Sequence, residues 1–427
     1  NLGAGNDAMA ISGNDSTITV DVNLGDGDDS FTISGNNSTI GGNIDFGAGD
    51  DTFTISANKN SSFTGTIDLG AGTDTVNVSV ASGRSTRFFL PLDNVENFNV
   101  TTDALHVVTA ENTIYTIDPT GFTAMTIAAN NLSKTVSDQV NSRLSLTDNE
   151  SSRSKGKVWT KYFNSSFARG AEQQNLSYDH DYNGFMVGYE WGKAGSNYGM
   201  LIGLSDGEVK NSQFFKSTID SQFVGLYKHF TLPKSTFASL NIVAGKEKYK
   251  NSRDLTDNEV GLEVARSNVD NLFITPSAAI ENRIKFYNGK LQIRPKASLS
   301  YTNSSFDKAT ETGSTNSNMA FKARDAKVLN SRAGVSTYLT LARNYQINFG
   351  VGLDSRKISE DKVNATVDDT SFAFDNGNKA KVNGRYYNVG FDVVNIKDLT
   401  LSALYEKRTA SNSEDQSFIS ATGVYRF

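Results

Sequence analysis

From Lys157 onward, apolar and polar residues alternate with a period of two in twelve segments. They lie near 157–164, 182–191, 197–206, 218–231, 235–248, 271–287, 290–303, 327–341, 345–357, 382–395, 398–409 and 416–427. This period puts one class of side chain on each face of a strand. In the seventh segment Leu291, Ile293, Pro295, Ala297, Leu299 and Tyr301 share one face, and Gln292, Arg294, Lys296, Ser298 and Ser300 share the other. A soluble sandwich would turn the apolar face inward, whereas an outer-membrane barrel turns it to lipid around a polar lumen. Three features favour the barrel. The segments are long enough for a tilted crossing of ~9–11 residues. Short connections, such as Asn288–Gly289 and Arg343–Asn344, alternate with long polar ones near 165–181, 249–270, 304–326 and 358–381. Aromatic residues sit at segment ends, among them Tyr189, Trp191, Tyr301, Tyr345, Tyr405 and Tyr425, as membrane-interface girdles require.

Composition narrows the remaining options. The 427 residues include no cysteine, which excludes disulfide scaffolds and Cys-ligated zinc or iron–sulfur centres. No run of ~18 apolar residues exists, so no helix is expected to cross a membrane. Residues 1–130 carry a net −13 and the remainder +7, a split that assigns the two parts different physical jobs. The acidic part resists nucleic acid, and the basic excess of the second part is scattered singly, so no nucleic-acid partner is expected.

The acidic part is a repeat. Leu2-Gly3-Ala4-Gly5-Asn6-Asp7 recurs at Leu24, Phe46 and Leu69 with spacings of 22, 22 and 23. Each turn is followed by an alternating strand, such as Phe31-Thr32-Ile33-Ser34. A unit this short cannot bury its own apolar face, but stacked units bury a continuous core. A right-handed parallel β-helix with one ~22-residue repeat per rung is predicted over 1–80, with Ile11, Ile33, Ile55 and Val78 stacked in its centre. Asp7, Asp29, Asp51 and Asp74 would form a row ~4.8 Å apart. Such a row serves either as a Ca²⁺ ladder, close to the G-x-G-x-D nonapeptide pattern, or as a set of turn caps accepting backbone N–H groups. The sequence given starts inside a repeat, so it is expected to be the C-terminal part of a longer precursor.

Residues 81–128 read as short strands capping the solenoid. Leu132, Val136, Val140 and Leu144 then recur every four residues, predicting an amphipathic helix over about 129–146 within a linker, 129–155. Its apolar stripe is narrow, so it needs a container. The expected fold is therefore all-β apart from this linker: a parallel β-helix, an α-helical linker, and a twelve-stranded antiparallel transmembrane barrel over 156–427. By alternation Arg283, Lys285, Arg294, Lys296, Arg332 and Arg356 face the lumen, where they either grip Asp138, Asp148 and Glu150 of the linker or stay solvated. Only three histidines occur, at 106, 180 and 229, with His180 expected in a loop. None has metal-ligand spacing and no G-x-S-x-G elbow appears, so no hydrolase is expected.

This order of solenoid, cap, helix and twelve strands ending Val424-Tyr425-Arg426-Phe427 resembles a monomeric autotransporter of the type Va secretion class, over essentially the whole chain. The resemblance implies an outer-membrane translocator of a Gram-negative cell that exports its own passenger and is then plugged by the linker helix. It implies outer-membrane lipid, the barrel-assembly machinery and periplasmic chaperones as partners, with Tyr425 and Phe427 in the assembly signal, and a monomer. Asn130-Asn131-Leu132 looks like the self-cleavage segment of the serine-protease autotransporters. Carried over, Asn130 would attack its own carbonyl to break the bond to Asn131, helped by lumen carboxylates, for which Glu190, Glu281 and Glu247 are the candidates. Two other functions compete: a surface adhesin whose rungs bind host or neighbouring cells, and a diffusion porin with an acidic cap.

Overall fold

The computed structural model describes all residues except 58–60, 81–84, 103, 105, 144–155, 172–175, 194, 212–213, 376–379 and 397. Twelve strands form the barrel: β1 Lys157–Arg169, β2 Tyr178–Lys193, β3 Ser196–Asn211, β4 Phe215–Leu232, β5 Thr236–Asp257, β6 Gly261–Asn282, β7 Leu291–Phe306, β8 Arg324–Ala342, β9 Tyr345–Glu360, β10 Lys381–Ile396, β11 Leu399–Ala410 and β12 Glu414–Arg426. Each pairs antiparallel with its neighbours, and β12 closes on β1 from Lys157↔Arg426 to Arg169↔Glu414. The apolar class faces outward: Leu204, Val351 and Leu353 are 62%, 64% and 68% exposed. A soluble sandwich would bury these side chains, so their exposure settles the choice in favour of a lipid-facing wall.

The tight turns mark the periplasmic end. On the other side the expected loop over 249–270 is mostly strand, because β5 and β6 each run 22 residues, about twice a membrane crossing. The long connections after β7 and β9 carry short strands, Ala309–Thr310, Ala320–Phe321, Lys362–Val367 and Thr370–Asp375, which form one four-stranded sheet at the barrel mouth. Polar loop composition hid these strands, although Val363, Ala365 and Val367 alternate in one of them and pack into the cluster around the helix entrance.

The solenoid stacks as expected, with Ser30↔Thr52 and Thr52↔Thr75 in parallel register. Ile11, Ile33, Ile55 and Val78 are successive partners, and Leu24, Phe46 and Leu69 fill the opposite side of the core. The stacking also runs past the expected end of the repeat. Asn97–Thr102 pairs with Thr75–Val80, and Leu92–Asp93 with Ile67–Asp68. The glycine turn that marks each rung is absent there, so the extra rung was invisible to the repeat pattern. At Gly47 the turn has φ +96°, and a Cβ would lie 1.9 Å from the Gly25 carbonyl oxygen of the rung below.

The cap joins the two bodies. Ser85–Phe89 pairs with Thr113–Ile117 on one side and, in parallel, with Leu255–Asp257 of β5 on the other. Arg87 ion-pairs with Asp257 (3.2 Å) and Glu259 (2.5 Å). The Asn258 side-chain carbonyl accepts from Phe89 N (2.8 Å), and its amide donates to Phe89 O (2.8 Å) and Ser61 O (3.1 Å). One buried amide thereby substitutes for a strand neighbour.

The helix, α1, spans Thr120–Ser142. It begins nine residues before the expected start at 129; residues 144–146 of the expectation lie outside the described residues. The early start was masked because Phe122, Ala124, Met125, Ile127, Ala128 and Ala129 are apolar without the period of one face. That end is wrapped on all sides, by Phe215, Phe321, Phe374 and neighbouring side chains of the mouth, so no polar stripe is required of it.

Candidate functional site

The candidate site is the helix-filled lumen. Every residue of α1 is buried except Lys134, Asp138 and Ser142, which are half-buried and lie on one stripe. The expected apolar stripe, Leu132, Val136 and Val140, packs on lumen aromatics that include Trp159, Phe163, Tyr182, Phe223 and Phe273. Those rings fit because neighbouring strands carry glycine opposite them. A Cβ at Gly188 would lie 2.1 Å from the Trp159 ring, and one at Gly203 would lie 2.3 Å from Phe223.

Polar contacts fix the helix at three levels. At the outer end Asp118 Oδ1 accepts from Thr120 N (2.9 Å), satisfying one of the free N–H groups of the first turn. Burial pushes the Asp118 carboxyl up from its usual range. Arg324 donates to the Phe122 carbonyl (3.0 Å) and pairs with Asp361, which also accepts from Thr126 Oγ1 (2.8 Å). Midway, Asn130 and Asn330 exchange amide hydrogen bonds (2.8 and 3.4 Å), Thr135 and Tyr182 share a hydroxyl bond (2.6 Å), and Arg332 reaches Asp138 (3.4 Å). At the periplasmic end Lys296 Nζ donates to Asn141 O (2.9 Å), complementing the negative end of the helix dipole. There Arg143 pairs with Glu190 (2.6 Å) and lies over the Trp159 ring (4.6 Å). Tyr227 donates to the same Glu190 oxygen (3.0 Å) and accepts from Trp159 Nε1 (2.6 Å).

The expected gripping residues are only partly brought together. Arg332 and Lys296 do hold α1. Arg283 pairs instead with Glu281 (3.0 Å), Arg294 with the Gln292 side chain (2.7 and 3.1 Å), and Arg356 with Glu414. Lys285 is exposed beside the β6–β7 turn rather than lumenal, because β6 ends at Asn282 and the alternation breaks. Asp148 and Glu150 lie outside the described residues. The tightest grip has the opposite polarity to the expected one, a base on the helix and an acid on the wall. Arg143 ends the helix after its regular apolar stripe, so the stripe gave no signal for it. Beside the half-buried stripe of α1 a cavity of about 140 Å³ remains, lined by Asp138, Lys161, Arg332, Tyr386, Asp392 and Glu406 among others.

The self-cleavage candidates are not assembled. Asn130 lies inside α1 with its amide held by Asn330, and its carbonyl accepts from Ser133 Oγ (3.1 Å). Glu190 and Glu281 are engaged by Arg143 and Arg283, and Glu247 accepts from Tyr249 (2.9 Å) and Asn271 (2.7 Å). Among the described residues no carboxylate is hydrogen-bonded to Asn130 or Asn131. His180 lies in β2 facing the lumen, not in a loop, and its ring is 5.1 Å from that of Tyr182.

In the solenoid the aspartate row acts as a set of turn caps. Asp29, Asp51 and Asp74 each accept, through Oδ1, the backbone N–H of Asp7, Asp29 and Asp51 one rung away (2.7, 2.7 and 2.8 Å). Glu96 accepts from Asp74 N (2.9 Å) and so extends the row into the extra rung. Burial first, and the stacked carboxylates second, push Asp51 up to about 6 against the opposing pull of the Asp29 N–H, and Asp74 is raised likewise. Among the described residues no group of three or more His, Asp or Glu is placed to hold a metal ion.

Comparison with known proteins agrees with this geometry. Residues 158–406 match the autotransporter beta-domain family. The fold is similar to the translocator domain of the autotransporter NalP from Neisseria meningitidis, at 13% identity and TM-score 0.56, covering 71% of this chain and 99% of that one. The transport unit of the autotransporter AIDA-I from Escherichia coli also matches, at 12% identity and TM-score 0.46, covering 73% and 99%. No curated protein matches the chain. An outer-membrane barrel of twelve strands with a helix in its lumen and a β-solenoid at its outer face places this chain in the autotransporter family, as a translocator with a surface-exposed β-solenoid passenger segment.

Proposed function

We propose that the barrel exports its own solenoid to the cell surface and that α1 then remains in the lumen as the plug. The observation that carries this reading is the polar contact of α1 with the wall at all three levels. A transient occupant of the pore would not need a dedicated partner at each depth. Folding of the rungs outside would oppose return of the chain without any nucleotide. Tyr425 and Phe427 act in the assembly signal recognised by the barrel-assembly machinery, which adds a strand to a sheet edge. The test is single-channel recording of the whole chain beside a variant lacking residues 120–142. A small conductance that rises several-fold on deletion supports the plug, and equal conductances overturn it.

The same reading keeps the passenger attached. Cleavage at Asn130 needs its side-chain nitrogen to reach its own carbonyl, and both are engaged elsewhere in a helical backbone. An intact band from purified outer membranes, unchanged by Asn130→Asp, is expected; a band shortened at Asn131 would show cleavage. The rungs serve as a stalk, because their outer polar side chains bond from rung to rung, as in Asn23–Asp45 (2.8 Å) and Asn37–Asp15 (3.0 Å). Cell binding by residues 1–128 alone would favour the adhesin reading.

A further inference from the structure

The barrel closes where β1 meets β12, and this seam joins segments at opposite ends of the barrel sequence. Forming it carries the largest loop-closure cost of any strand pair in the wall. Five lipid-facing rings cross the seam at its periplasmic end. Tyr425 and Phe427 are 6.4 Å apart by centroid, Phe427 and Tyr189 6.2 Å, Tyr189 and Trp191 5.7 Å, and Trp191 and Tyr198 6.4 Å. The last three contacts are stacked, with interplanar angles of 17°, 21° and 21°.

Tyr425 and Phe427 belong to the β12 end, whereas Tyr189 and Trp191 belong to β2, so the rings meet across the intervening strand. Gly156 makes this possible. It lies just before β1, its carbonyl accepts from Phe427 N (3.3 Å), and it places no side chain on the outer face. A Cβ there would lie 2.6 Å from the Tyr189 hydroxyl. This bond lies just beyond the last ladder pair, Lys157↔Arg426, so the rings supply contact where the seam ends.

We propose that Tyr189, backed by Trp191, is the docking ring for Phe427, and that this ring stack latches the β1–β12 seam shut at the periplasmic face. Any ring of the girdle can anchor the barrel in the interface; only a ring stacked across the seam couples one barrel end to the other. The latch concerns barrel closure and stands apart from the plug, since it is read with α1 in place and without export.

The test is the rate at which the full chain, refolded in lipid vesicles, opens in hot detergent, seen as conversion of the fast gel band to the slow one. Phe427→Ala and Tyr189→Ala are each expected to speed opening about five-fold, the worth of one aromatic pair. The double variant should open no faster than either single one. Multiplying effects would overturn the latch. Tyr345→Ala removes a ring stacked on Phe391 (6.2 Å) in the same girdle away from the seam. It should leave the rate within about two-fold, and equal acceleration would show that any girdle ring suffices. Should Tyr189→Ala fail to insert, Gly156→Val keeps every ring but wedges them apart; an unchanged opening rate in that variant overturns the proposal.

Discussion

Arg143, at the end of the lumen helix, donates to Glu190 of the barrel wall at 2.6 Å, with both side chains buried. Two ions out of bulk water are tolerable only as a pair, because removing one leaves the other uncompensated. Arg143→Met should therefore loosen the periplasmic end of α1 by about 3–5 kcal/mol, read as a higher conductance of the refolded barrel. Arg143→Met with Glu190→Gln should recover much of the seal, because the stranded charge is gone.

The aspartate row makes solenoid stability depend on pH. Asp51 is held up at about 6 against 3.8 for an ordinary aspartate, so the folded rungs bind its proton more tightly than the unfolded chain does. That contribution is complete below pH 3.8 and is lost as pH rises through about 6. The passenger fragment should melt at a higher temperature at pH 5 than at pH 7.5 by circular dichroism. Asp51→Asn keeps an acceptor for the Asp29 N–H while removing the charge. It should raise the melting point at pH 7.5 and flatten the pH response. With the Oδ1 atoms acting as turn caps, a chelator should leave the curve unchanged; a fall in melting point would point to Ca²⁺.

Gly47→Ala tests the rung spacing. Positive φ costs a side-chain-bearing residue about 1–3 kcal/mol, and the added carbon would collide with the Gly25 carbonyl of the next rung. Protease resistance of residues 1–102 should fall sharply, while the heat-modifiable mobility of the barrel stays unchanged.

Asn258→Ala tests the joint between the bodies. It strands the buried Ser61 O, at about 1–3 kcal/mol, and removes the partner of the half-buried Phe89 N–H and C=O. Hydrogen exchange at 85–89 should accelerate and trypsin should reach Arg87, with no change in barrel insertion. Unaltered exchange would mean that the β5 ladder alone holds the cap.

Patterns in the sequence alone determined the architecture. The 22-residue repeat leaves one way to bury apolar surface, by stacking, whereas the two-residue alternation fits a sandwich or a barrel until strand length, loop asymmetry and the aromatic ends favour the barrel; the structure follows both patterns. The stripe Leu132, Val136 and Val140 likewise announced a helix needing a container. What depended on neighbours distant in sequence was not legible. Residues 120–128 are helical because the mouth wraps them, and Glu96 continues a row of aspartates without its glycine turn. Asn130 is bound by Asn330, which separates the cleavage motif from the carboxylates proposed to help it. Arg143 finds Glu190 only once β2 curls around the helix. Local pattern fixes which face of an element is apolar, but the partner of a buried charge or amide is set by closure of the barrel, and only the tertiary structure decides it.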